Sequence, residues 1–131
     1  MSNSVAGDGN SFTLDAWAFD RGNVRVFTGE WADAGPMVAF GGVSPAVVEY
    51  DFDVPLAADY TLSLRYAAAT ARPAKLSLDG RALGEGCRTA SGGWNTSRAK
   101  WEEATRFTAT KGRHTLKLER VGDFPHLVSL R

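Results

Sequence analysis

The residues that could do chemistry lie in loops. Trp94 sits in Ser91-Gly-Gly-Trp-Asn-Thr-Ser97, where flanking glycines and polar side chains argue against a core strand. An exposed indole there presents a flat apolar face that matches the C–H face of a pyranose, and Asn95 beside it can donate and accept hydrogen bonds. Trp31 occupies a second glycine-bounded stretch, Gly29-Glu-Trp-Ala-Asp-Ala-Gly-Pro36, and reads equally as ligand contact or packing. Arg72 and Arg98 also fall between predicted strands. Their guanidinium forks suit carboxylates or sulfates, against the plainer reading of solvated surface charge. His126 stands at the start of the last predicted strand, as a structural hydrogen-bonding group or a partner for a hydroxyl. Trp17 and Trp101 are expected in the core.

Catalytic grammar is missing. The sequence has no GxSxG, HExxH, P-loop or GxGxxG motif. Asp51/Asp53 and Glu102/Glu103 are carboxylate pairs, but they read as residues that keep a sheet face soluble rather than as a glycosidase pair. The two histidines are His114, on an apolar face, and His126, which argues against a metal–histidine site. The single cysteine, Cys87, cannot make an internal disulfide and reads as a small buried hydrophobe. Asn95-Thr96-Ser97 matches a glycosylation sequon that matters only in a eukaryotic secretory setting.

Bulk numbers agree with a binding or structural module. The 131 residues fit one domain, and 44% hydrophobic with 23% charged residues is a globular composition. Lys+Arg and Asp+Glu are both 15, so the formal net charge of zero argues against nucleic acid and against a polybasic membrane patch. No apolar run approaches the roughly 20 residues of a membrane helix. Residues 1–11 are polar and read as a flexible linker or expression remnant, lacking signal-peptide grammar. The remaining 12–131 read as a single β-sandwich module cut from a larger protein, monomeric when isolated.

What must position these loops is a set of strands. Val48, Tyr50, Phe52 and Val54 alternate with Glu49, Asp51 and Asp53, the period-two pattern of a half-buried strand. Tyr60–Tyr66, Lys75–Leu78 and His114–Glu119 repeat it. Shorter strands are expected at 12–17, 23–28, 36–40, 83–86, 101–107 and 126–130. Asp79-Gly80 marks a tight hairpin. No convincing amphipathic helix is present, so the fold class is all-β, an antiparallel sandwich or barrel. If each strand from Ala46 onward crosses once in alternating direction, the turns at 55–59, 79–80 and 108–112 share one end. The connections 41–45, 67–73, 87–100 and 121–125 share the other. The second end carries the longest loop, Trp94, Arg72 and Arg98, and long loops on a rigid sandwich are where binding concentrates.

From Val48 to Leu130 the chain resembles carbohydrate-binding modules of families 6 and 35. The resemblance lies in Tyr50-Asp-Phe-Asp-Val-Pro55, Asp59-Tyr-Thr-Leu-Ser-Leu-Arg-Tyr-Ala67, Leu76-Ser-Leu-Asp-Gly80, Ser91-Gly-Gly-Trp-Asn-Thr96 and Lys111-Gly-Arg-His-Thr-Leu-Lys-Leu118. Asp59 stands where those modules carry Gly. Arg65–Pro73 and Gly122-Asp-Phe-Pro-His126 are similar to a subgroup attached to large bacterial multidomain proteins, some with c-type cytochrome domains. The resemblance implies a galactose-binding-like jelly roll. It also implies a non-catalytic module that binds an oligo- or polysaccharide through loops at one end, in an extracytoplasmic setting beside other domains of a parent protein. Trp94 matches its sugar-binding aromatic, and the position of its Asn falls at or near His126. Its structural Ca²⁺ would use Asp15 and a residue at Val128. Ca²⁺ takes about six to eight oxygens, and Val128 offers no side-chain oxygen, so calcium is expected to be weak or absent and no other cofactor is implied. The contrasting reading is a structural or protein-interaction sandwich.

Overall fold

The computed structural model describes residues 11–131 and the backbone of a short strand at Val5–Ala6; the rest of the expected 1–11 linker lies outside the described residues. Twelve strands follow in order: β1 (Val5–Ala6), β2 (Phe12–Asp15), β3 (Arg21–Gly22), β4 (Arg25–Phe27), β5 (Met37–Ala39), β6 (Ala46–Val54), β7 (Ala58–Ala67), β8 (Ala74–Leu78), β9 (Arg81–Gly86), β10 (Lys100–Ala109), β11 (Gly112–Arg120) and β12 (His126–Leu130). Single 3₁₀ turns occur at Ala16–Ala18 and Thr96–Arg98.

The strands form two antiparallel sheets. In the five-stranded sheet the order is β3-β6-β11-β8-β9. In the seven-stranded sheet β12 is central: β7 runs along one edge and leads to β10, while β2 and β5 share the other edge. The alternation explains what lies between them. Val48, Tyr50, Phe52 and Val54 of β6 and Leu116 and Leu118 of β11 face Leu62, Leu64 and Tyr66 of β7 in one buried cluster. The expected β-sandwich is therefore the observed fold.

Three expectations require correction. Trp17 and Trp101 are 45% and 39% exposed rather than core. The alternation of β2 stops at Asp15, and the 3₁₀ turn buries Ala16 and turns Trp17 outward. In β10 a bulge between Glu103 and Thr105 shifts the phase by one residue. Trp101 and Phe107, six apart in sequence, therefore fall on opposite faces. Trp101 pairs with Arg65 on the outer face, under the Arg131 guanidinium at 4.3 Å. Asp51, expected to keep a face soluble, is buried beneath Arg21, which reaches both of its oxygens at 2.6 and 2.9 Å.

Candidate functional site

Parity placed four connections at one end, and cross-loop hydrogen bonds join them there. Gly122 N donates to Ser44 Oγ, and Ser91 N donates to Ala68 O. Arg72 Nη1 donates to Phe124 O at 3.1 Å, and His126 Nδ1 lies 2.6 Å from Trp94 O.

The root of the 87–99 loop is held by Glu102. Its carboxylate accepts Cys87 N–H at 2.6 Å and Arg88 N–H at 3.0 Å, while Cys87 adopts a positive φ of 56°. Burial pushes the Cys87 thiol up, and the Glu102 charge adds to this, so the cysteine is an inert packing group. Tyr66 Oη donates to Thr89 O at 2.6 Å. Glu102 therefore anchors the loop, a role the solubility reading missed. Further along, Gly93 pairs with Ala68, and the stem of Arg98 covers Gly93 so closely that a Cβ there would sit 2.9 Å from Arg98 Cγ.

Above that root the aromatic groups form a ladder. The Arg72 guanidinium carbon stands 3.9 Å over the Trp94 ring, the Trp94 and His126 centroids are 5.3 Å apart, and those of His126 and Trp31 are 6.2 Å apart. Trp94 is half-buried and packs on the core, whereas Trp31 is 37% exposed. The structure thus brings Trp94, Arg72, His126 and Trp31 together. Arg72 spends its fork on Trp94, the Phe124 carbonyl and Asp123, whose carboxylate lies 3.5 Å away. Arg98 is exposed, with no ion pair among the described residues. Asn95 is turned toward the other loop, donating from Nδ2 to Asp33 at 3.2 Å.

The bonding of His126 fixes its tautomer. A carbonyl can only accept, so Nδ1 carries the proton and donates it to Trp94 O. Burial lowers the imidazole's affinity for a second proton, the Trp94 carbonyl opposes this, and the Arg72 charge reinforces it. Neutral Nε2 is then a free lone pair. It has no hydrogen-bond partner among the described residues, and His126 as a whole is buried, only 8% exposed.

At the calcium position Asp15 pairs across the strands with Ser129, and Val128 contributes no side-chain oxygen.

The two-sheet antiparallel sandwich is a fold that this chain shares with solved carbohydrate-binding modules. The chain is similar in structure to a family 35 module from Paenibacillus barcinonensis, with a TM-score of 0.73 and 17% identity over 91% of this chain and 95% of that one. A family 35 carbohydrate-binding module from Clostridium thermocellum gives 0.71 and 17% over 91% and 96%. The C-terminal family 6 module of a Zobellia galactanivorans laminarinase gives 0.70 and 16% over 90% and 96%. The same fold also occurs inside longer chains, making up 26% of a Podospora anserina mannanase with a family 35 module. No family model and no curated protein matches the sequence.

Proposed function

We propose that the chain is a non-catalytic module that binds an oligo- or polysaccharide at the loop end of its sandwich, as an extracytoplasmic part of a larger protein. The observation that carries this reading is the aromatic ladder of Trp94, His126 and Trp31, which ends in an indole that is 37% exposed. The Trp31 indole supplies apolar contact for a sugar ring, and a hydroxyl that reached the His126 Nε2 lone pair would donate to it. Arg98 and Asn95 border the site as polar contacts. No bond is made or broken, so affinity comes from stacking and hydrogen bonds.

The weight shifts from Trp94 toward Trp31, because Arg72 already covers the Trp94 ring. A glycan array on the isolated module, repeated with Trp31→Ala, tests this. The parent is expected to bind a defined glycan class. The variant is expected to lose about 2 kcal/mol or more of affinity, as aromatic anchors do, with its melting temperature nearly unchanged. Equal binding by parent and variant would move the site elsewhere.

A further inference from the structure

Asp33 stands two residues after Trp31, in a stretch that has no strand pairing of its own between Phe27 and Met37. Its carboxylate collects four donors from the opposite loop. Oδ1 accepts Ser97 N–H at 2.9 Å and Thr96 Oγ1 at 3.4 Å; Oδ2 accepts Ser97 Oγ at 2.6 Å and Asn95 Nδ2 at 3.2 Å. Two further bonds run between the same loops: Thr96 N donates to Trp31 O, and Ala34 N donates to Thr96 Oγ1, each at 2.8 Å. Thr96 is buried between them. The two clamped segments are the ones that carry the two site indoles.

We infer that Asp33 is the positioning residue of this site, clamping residues 95–97 so that Trp31 stands at a set distance from the Trp94–His126 pair. Its importance to binding rests on the saccharide reading above; the clamp itself is defined without a ligand. The charge matters, because all four partners are donors. An amide at this position would turn its own N–H₂ toward some of them. The Ser97 hydroxyl and backbone N–H, chief among these donors, hold the Asp33 carboxyl down to about 2, so the clamp stays ionised from mildly acid to alkaline pH.

The test uses Asp33→Ala, Asp33→Asn, Ser97→Ala and the Asp33→Ala/Ser97→Ala pair in the 131-residue chain. Binding is read by retardation in gels containing laminarin, β-1,4-mannan or xylan. Structure is read from the four indole N–H resonances, with Trp17 and Trp101 as internal controls. Asp33→Ala is expected to weaken retardation at least tenfold and to move the Trp31 resonance while Trp17 and Trp101 stay in place. Asp33→Asn is expected to recover only part of the loss. The pair is expected to lose no more than Asp33→Ala alone, since both changes break one clamp. Unchanged retardation in a gel that retards the parent overturns the inference, whatever the resonances do. If no gel retards the parent and the glycan array is also silent, the saccharide reading fails and the resonances alone decide: a shifted Trp31 signal supports the clamp, and an unmoved one overturns it. Should Asp33→Ala fail to fold, Asp33→Asn and Ser97→Ala carry the same comparison.

Discussion

His114 is bonded at both ring nitrogens to acceptors: Asp79 Oδ2 at Nδ1 and Thr110 O at Nε2, each at 2.6 Å. Two acceptors call for two N–H donors, so the folded chain favours the imidazolium. The bond to Asp79, then that to Thr110, raises its pKa above the ordinary 6.5. A raised folded-state pKa stabilises the fold below 6.5, and that contribution is lost as pH rises through the folded value. Thermal midpoints measured upward from pH 6 should therefore fall more steeply for the parent than for His114→Gln; parallel curves would show that the clasp does not titrate. At the other pole, Trp94→Ala should cost both properties. The ring packs on the core and under Arg72, so about 2–4 kcal/mol of stability should go with it, in contrast to the nearly stable Trp31→Ala. Equal melting temperatures for the two variants would contradict the assignment of Trp94 as scaffold and Trp31 as platform.

The elements were legible where alternation was unbroken. β6, the strand read from Ala46 to Val54, matches its expected span to the residue; β12 also matches, although its register against β7 shifts between Leu127 and Ser129. The Asp79-Gly80 hairpin is a turn with both residues at positive φ, 51° and 83°, as a tight type I′ turn requires. Trp101 was misread because a bulge is a one-residue change that leaves no mark in the alternation. Glu102 was misread because its partners are backbone N–H groups of a distant turn. That anchor predicts that Glu102→Ala, which strands two N–H groups beside Cys87, costs about 1–3 kcal/mol. It should also raise hydrogen exchange selectively at Cys87 and Arg88. Exchange as slow as in the parent would show that the turn stands without it. Close approach sets a further limit at Gly41, where a Cβ would lie 2.4 Å from the Asn23 carbonyl oxygen. Backbone cannot swing aside as a side-chain tip can, so Gly41→Ala should lower the stability measured by denaturant unfolding by about 1–3 kcal/mol.

Across the whole molecule, counting crossings was enough to gather the right loops at one end, because short strands in an antiparallel sandwich alternate direction. What counting could not supply was the docking between loops. Trp31, His126 and Trp94 are separated by more of the chain than local pattern can span, and Asp33 meets Asn95, Thr96 and Ser97 only after both loops are placed. The run Asn95-Thr96-Ser97 held half of that signal, three hydrogen-bonding side chains in succession, without its partner. The metal expectation also belongs to this scale. With Asp15 opposite Ser129, a chelator should leave the thermal midpoint unchanged, and a sharp fall would mean that oxygens outside this pair complete a cation site. The central claim, a saccharide bound at the loop end, is tested most directly by mapping amide and indole chemical shifts during titration with an oligosaccharide selected from the array. The account predicts saturable shifts at Trp31, Trp94, Asn95 and His126, with Trp101 and the His114 pole silent. Shifts confined to the outer sheet face around Trp101 and Arg131 would contradict it.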